Sequence, residues 1–488
     1  MRILQKTLTT LGALFASIAL IVVFFLGPFP WNNTSQSFAD IDKHFRYGSI
    51  GGEATNGLPY WIWKVMPEMF ADKLPANATA KDYTAFGFLK EPGEDLPIGF
   101  SRSKTLGIDV ITQNCATCHV GSVRTTKKSP HVLISGMPAN TVNLQGYIQF
   151  LRDVADDPRF VTNQLMPYIE KASGGLNPIQ KLAYQFVAIP QTREQLTRQS
   201  ASLAFMDKQI PYGPGRIDTF SFYKTLRFNT PISQMRKEEL QGIADYPPVW
   251  RQGERVGMKL HWDGNNDSVN ERNKSASLAL VQPTTINFPS LHRVRDWLMD
   301  LQPPEYPFPI EASLAEKGKT IYANTCAECH AFGGAKTGTV EDIKNILTDR
   351  GRLDSYTSEL AANQYSLFSE ISYKGEDQRF THFRKTNGYA NLPLDGVWLR
   401  APYLHNGSVP TLADLLRKPE QRPKSFYRGN DVYDPTKLGF VSDVAEADGH
   451  SYFRYDTTLP GNLNSGHLYG TDLPEEEKTA LIEYMKTL

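Results

Sequence analysis

The sequence predicts a mainly α protein: two small helical domains, a loop-rich insertion and a preceding N-terminal transmembrane helix. Three observations carry this. Apolar residues recur at helical spacing in several runs. No strong strand alternation appears. Two motifs of the form C-x-x-C-H, Cys115-Ala116-Thr117-Cys118-His119 and Cys326-Ala327-Glu328-Cys329-His330, divide the chain and use all 4 of its cysteines.

Residues 1–31 read as a membrane anchor or signal sequence. Arg2 and Lys6 precede an apolar run over about residues 8–26, followed by Gly27-Pro28-Phe29-Pro30-Trp31. The run approaches the ~20 residues that span a bilayer. A cleaved signal usually has a core of only ~7–15 residues and an A-x-A-like site, which is not evident here. An uncleaved anchor with its positive end inside is the preferred reading.

Residues 32–302 form the first expected domain, with an insertion at about 120–250. Helices are expected over 143–154 and 178–187. Tyr212-Gly213-Pro214-Gly215-Arg216 is a turn cluster. Residues 289–301 read as an amphipathic helix with Leu291, Val294, Trp297, Leu298 and Leu301 on one face. Pro303-Pro304-Glu305-Tyr306-Pro307-Phe308-Pro309 is a stiff linker, which puts a boundary near 302–310. Residues 303–488 form the second domain, with helices over 314–325 and 474–488. Each C-x-x-C-H is expected at the end of a helix-like run rather than after a β-branched strand.

C-x-x-C-H is the attachment signature of c-type haem. Two thiols at this spacing can add to the two vinyl groups of one porphyrin, and the adjacent His then ligates iron from one face. A four-thiolate zinc site would leave both histidines unexplained. Two C-x-x-C disulfides would close only tiny loops and stabilise little. Two covalently bound haem c groups are the expected cofactors, held by Cys115, Cys118 and His119 and by Cys326, Cys329 and His330. Helix plus irregular loop suits a cytochrome c-like fold. Such haems are attached outside the bacterial inner membrane, so the expected location is that membrane with the soluble part in the periplasm, or export if the signal is cleaved.

The opposite face of each haem decides its chemistry. Met485 is the only methionine after His330, so haem 2 is expected to be bis-His. His467, in Gly461-Asn462-Leu463-Asn464-Ser465-Gly466-His467, is the first choice of sixth ligand, and His405 is the second. Near haem 1, His131 reads as a core residue of an apolar stretch and His292 as a packing or surface residue. His261 and Trp262 are the candidate catalytic residues, with Asp263 and Asn265 closing a turn or touching a propionate. Lys+Arg and Asp+Glu are equal at 52, so nucleic acid is not an expected partner.

The W-D-G segment Trp262-Asp263-Gly264 and the stretch Ala401-Pro402-Tyr403-Leu404-His405-Asn406-Gly407, with the two haem motifs, resemble the bacterial dihaem cytochrome c peroxidase and MauG superfamily. The strings H-W-D-G-N-N, Pro214-Gly215-Arg216 and G-N-L-N-S-G-H resemble most its RoxA-like (rubber oxygenase-like) branch. The resemblance covers most of residues 100–420. It implies an oxidoreductase: haem 1 as the site for O2 or H2O2, haem 2 as the electron-transfer haem, and a redox partner protein or quinone-linked donor. Two departures matter. The peroxidases carry a Met ligand on the helix after H-N-G, but Ala413-Asp414-Leu415-Leu416-Arg417-Lys418 has none, which favours His467. They also carry a catalytic Glu downstream of the W-D-G Trp, but Leu280-Val281-Gln282-Pro283 has no acid, which turns expectation towards O2. The alternatives are a membrane-anchored electron carrier with two six-coordinate haems, and a MauG-like factor acting on a protein.

Overall fold

The computed structural model describes residues 33–488 apart from Asn77 and Asp448. It is 40 % helix and 14 % strand, so the expectation of a mainly α chain led by a transmembrane helix is corrected. Among the described residues no helix is long and apolar enough to cross a membrane. The apolar run over 8–26 lies outside the described residues. The strands escaped the sequence reading because they are short, 2 to 6 residues each among the named ones, too brief for alternation to register.

The first half builds from α1 (Ile41–Tyr47), β1 (Leu58–Pro59), α2 (Tyr60–Met69), β2 (Phe100–Thr105) and β3 (Ile108–Gln113). The three strands form an antiparallel sheet in the order β1-β3-β2. Leu106 and Gly107, both left-handed at φ 49 and 76, make the tight β2–β3 connection. β3 leads directly into the first C-x-x-C-H motif, against the expectation of a helical run there. The motif itself is a single turn, α3 (Ala116–His119), followed by β4 (Val120–Val123) paired with β5 (Val132–Ser135).

The insertion is helical: α4 (Leu144–Ala155), α5 (Thr162–Ser173), α6 (Pro178–Ala183), and α7 (Ile189–Ser202), reached through a π-turn over Tyr184–Ala188. Asn143 caps α4 by accepting from Gly146 N–H, and Asn177 caps α6 in a capping box with Gln180. α2, β2 and α4 enclose an aromatic core of Trp63, Tyr83, Phe86, Phe88, Phe100, Tyr147 and Phe150. Then come α8 (Thr219–Leu226), α9 (Val269–Ser277) and α10 (Phe288–Asp300). Leu291, Val294 and Leu298 of α10 are buried, on the face its periodicity predicts.

After an irregular segment comes the second half: α11 (Ala312–Thr325), α12 (Ala327–His330), β6 (Val340–Asp342), β7 (Gly388–Ala390) and the terminal α13 (Glu475–Met485). β7 pairs antiparallel with β6. α11 crosses α13 at Gly318, where an added Cβ would sit 1.9 Å from the Ala480 carbonyl oxygen. Only glycine permits so close an approach. The second core joins Tyr322, Trp398, Tyr403, Leu481 and Met485 to Val123, Met137 and Trp250 of the first half.

Candidate haem sites

Asn114 sets the first motif. Its Nδ2 donates to the Arg46 and Gly48 carbonyls at 3.2 and 2.9 Å, and its Oδ1 accepts from Ala116 N–H at 3.0 Å. Thr117 Oγ1 donates to the Gly99 carbonyl at 2.9 Å. The turn is thereby pinned, with both thiols and His119 facing one cavity of about 1180 Å³. Burial pushes the Cys115 thiol up to about 11 and the Cys118 thiol up to about 12. Burial also raises Cys326 to about 11. All four cysteines are free, and among the described residues no group of three or more His, Cys, Asp or Glu gathers as a metal cage. The four-thiolate zinc alternative therefore has no geometry.

The cavity brings His261 and Trp262 to His119, together with Asn265, Arg272, Arg352 and Phe383. His261 has a left-handed backbone, φ 61, held by the Leu260 N–H to Asn266 carbonyl bond at 2.6 Å. Its Nδ1 lies 2.6 Å from Asn265 Oδ1, which can only accept, so Nδ1 carries the proton and Nε2 a lone pair. Its ring stacks on Phe383 at 6.2 Å. Burial, then Arg272, lowers His261 to about 4, and the Asn265 bond opposes them. Burial and Arg272 hold His119 near 3. Trp262 Nε1 donates to the Asp245 carbonyl at 2.8 Å, and its own carbonyl accepts from Ala390 N–H at 2.8 Å. Asp263 is an ion-pair residue rather than a cavity group, bound to Arg352 at 2.9 Å.

Arg272 is the residue that sequence reasoning missed. It is 8 % exposed and lines the cavity. No carboxylate pairs with it among the described residues, and burial lowers it to about 10. Asp245, the only carboxylate on the lining, is bound bidentately by Arg428 at 3.0 and 2.9 Å. The cavity therefore offers a free guanidinium, a neutral imidazole and no free acid.

At the second site, His330 Nδ1 donates to the Leu392 carbonyl at 2.8 Å, which leaves Nε2 available to a metal. Its ring centre lies 6.3 Å from that of His467, with the planes 36° apart. Two iron–imidazole bonds of about 2 Å each, plus the reach from each nitrogen to its ring centre, add up to roughly this span. Arg422 holds the His467 loop. Its Nη1 donates to the Asn464 and Gly466 carbonyls at 2.6 and 2.8 Å, and Nη2 to the His467 carbonyl at 3.2 Å. Gly466 packs so tightly that an added Cβ would meet the Ile346 oxygen at 2.3 Å. His405 is occupied elsewhere. Its Nε2 hydrogen-bonds Tyr389 Oη at 2.9 Å, and the two rings stack at 4.0 Å.

The other histidines lie apart. His131, expected in a core, lies just ahead of β5, exposed, with its Nδ1 2.6 Å from Asp431. His292 packs against Phe288 and Tyr373.

Residues 388–427 match a family described as RoxA-like, cytochrome c-like. This stretch runs from β7 through the Leu392 carbonyl that holds His330 to the A-P-Y-L-H-N-G segment. It supports the RoxA-like likeness and a c-type cytochrome. It does not reach the wider peroxidase and MauG grouping. Two proteins of Sinorhizobium fredii are similar over longer spans. One, named uncharacterized protein y4iJ, is 25 % identical over 93 % of this chain and 92 % of its own length. The other, named uncharacterized protein y4iM, is 34 % identical, and the similar region covers 50 % of this chain and 64 % of that protein.

Proposed function

We propose that the chain is a dihaem c-type cytochrome acting as an oxidoreductase, with a closed electron-transfer site at His330 and His467 and a reactive site at His119. The observation that carries this is the contrast between the two. The 6.3 Å His330–His467 spacing fits two ligands on one iron, whereas His119 borders a large cavity with an unpaired guanidinium. Haem bound there supplies one-electron chemistry and, where one face stays open, a place for a small oxidant.

The chain's own residues then have distinct tasks. Leu392 fixes the His330 tautomer through Nδ1 and raises its basicity. Phe220, Leu291 and Val294 exclude water at the first site. Arg272 attracts negative charge there, and His261 Nε2 accepts a hydrogen bond or a proton at the cavity wall. Proton delivery to a peroxide needs a titratable acid in reach. The lone carboxylate, Asp245, is taken by Arg428, which leaves His261 as the titratable group at the cavity wall. Trp262 is wall and bridge: its indole closes the cavity and its carbonyl reaches β7. Exposed Leu347, Leu463, Leu468 and Tyr469 surround the His467 loop. They suit the apolar centre of a transient redox-partner contact.

Electron paramagnetic resonance and CO titration of the purified holoprotein test the proposal. One low-spin bis-His haem and one CO-reactive haem are expected. Two CO-unreactive, six-coordinate haems would instead make the protein an electron carrier, with His261 the obvious second ligand to the His119 haem.

A further inference from the structure

A second cavity, of about 920 Å³, adjoins the first. Leu58, Phe100, Ile111, Leu151, Leu196 and Phe222 wall it. Its mostly apolar wall is of the kind that takes a small organic molecule. The two cavities share one lining residue, Ala279, just beyond α9.

The polar groups define what would fit. Gln113 sits on the same face of β3 as Ile111 and opposite Phe100 in the ladder. Its Nε2 is buried without a hydrogen-bond partner, a group that seeks an acceptor. Arg152, the cavity's only charged lining residue, is neutralised by Asp207 through two 2.8 Å bonds. Ser200 is engaged by Arg152 Nε, and Asn56 Oδ1 accepts from Thr55. The free groups are thus the Gln113 Nε2 donor and, beside it on β3, the unpartnered Thr112 hydroxyl, both neutral, in a largely apolar chamber. A carboxylate would enter as an unpaired buried charge, at high cost. A carbonyl oxygen only accepts, which matches the free donor.

We propose that this cavity binds a neutral aliphatic molecule bearing one carbonyl group, its chain against the apolar wall and its oxygen accepting from Gln113. The binding site stands on its own lining. Passage of the molecule past Ala279, as substrate or product of the His119 site, rests on the function proposed above.

Calorimetric titration of the holoprotein with octan-2-one, octane and octanoate tests the site. The ketone is expected to bind about ten-fold more tightly than the alkane, the worth of one good hydrogen bond to a buried donor, and octanoate more weakly than the ketone. Gln113→Leu should erase the ketone's advantage and leave octane binding unchanged. Leu196→Trp, which fills the chamber, should abolish binding of all three. Equal ketone affinity in wild type and Gln113→Leu, tighter binding of octanoate, or binding that survives Leu196→Trp would overturn the proposal. The absorption band of the His119 haem separates the two parts. A shift on ketone binding that is lost in Ala279→Phe supports passage. Ketone binding with no such shift removes passage and leaves the site.

Discussion

At the scale of single residues, His467 and His405 make opposite predictions. His467→Ala should turn the second haem from low-spin to high-spin, read by electron paramagnetic resonance. His405→Phe should leave that signal unchanged and cost about 1 kcal/mol for the lost Tyr389 bond. The reverse pattern would exchange the two roles. The scarcity of methionine after His330 pointed the sequence to His467, and the structure sets its ring 6.3 Å from that of His330. Arg272 was not legible, because an arginine on a helix carries no pattern. Its meaning comes from the lack of a carboxylate nearby, which only the packed chain displays. His44 gives a pH prediction. It is buried, with Nε2 2.7 Å from Ser290 Oγ, and burial, then Arg293, lowers it to about 4 from an ordinary 6.5. Between those values the unfolded chain binds more protons than the folded one, so stability falls as pH drops through this window and the loss is complete below about 4. His44→Gln should flatten that part of a melting-temperature profile against pH.

At the scale of elements, the helices with caps or a strong apolar face were readable and the strands were not. α4, α6 and α10 declare themselves through Asn143, Asn177 and the Leu291–Val294–Leu298 stripe. β2 and β3 carry only the Leu106–Gly107 turn as a local mark, so the first C-x-x-C-H turn, expected after a helical run, follows a strand instead. Loops that position ligands were half legible. Gly466 marked the His467 loop, but Arg422, 45 residues upstream, did not. Arg422→Leu should free three carbonyls of the 464–467 segment and give the second haem a partly high-spin signal without loss of haem. Gly318→Val tests the α11–α13 crossing. A side chain pressed against the Ala480 carbonyl must push the helices apart, at a cost of about 1–3 kcal/mol, read by urea unfolding. An unchanged midpoint would mean that the crossing yields freely.

At the scale of the whole molecule, the two halves, each with one C-x-x-C-H motif, are joined by buried ion pairs. Arg124 binds Asp431 at 2.7 Å, Asp263 binds Arg352 at 2.9 Å and Asp245 binds Arg428 at 2.9 Å. Arg255 reaches Asp395 as well. Every pair joins a residue before the 302–310 linker to one after it, across sequence separations of 89 to 307. Equal totals of acid and base give no hint of such pairing, so the joint was invisible in composition. Buried pairs add little net stability when whole, but removing one partner strands a charge at about 3–5 kcal/mol. They therefore fix orientation more than they bind, and they are poorly screened by salt. Arg428→Leu is the sharpest test, because it leaves Asp245 unpaired at the wall of the His119 cavity. Burial already raises Asp245, and the Arg428 guanidinium beside it is the main group that opposes that rise. The variant should unfold about 3–5 kcal/mol more easily and should shift the optical spectrum of the first haem while sparing the second. Calorimetry of the wild-type holoprotein should give one cooperative transition, since the second core packs Val123, Met137 and Trp250 of the first half into the second half. Two resolved transitions, insensitive to Arg428→Leu, would mean that the halves unfold independently and that neither the shared core nor the ion pairs couple them.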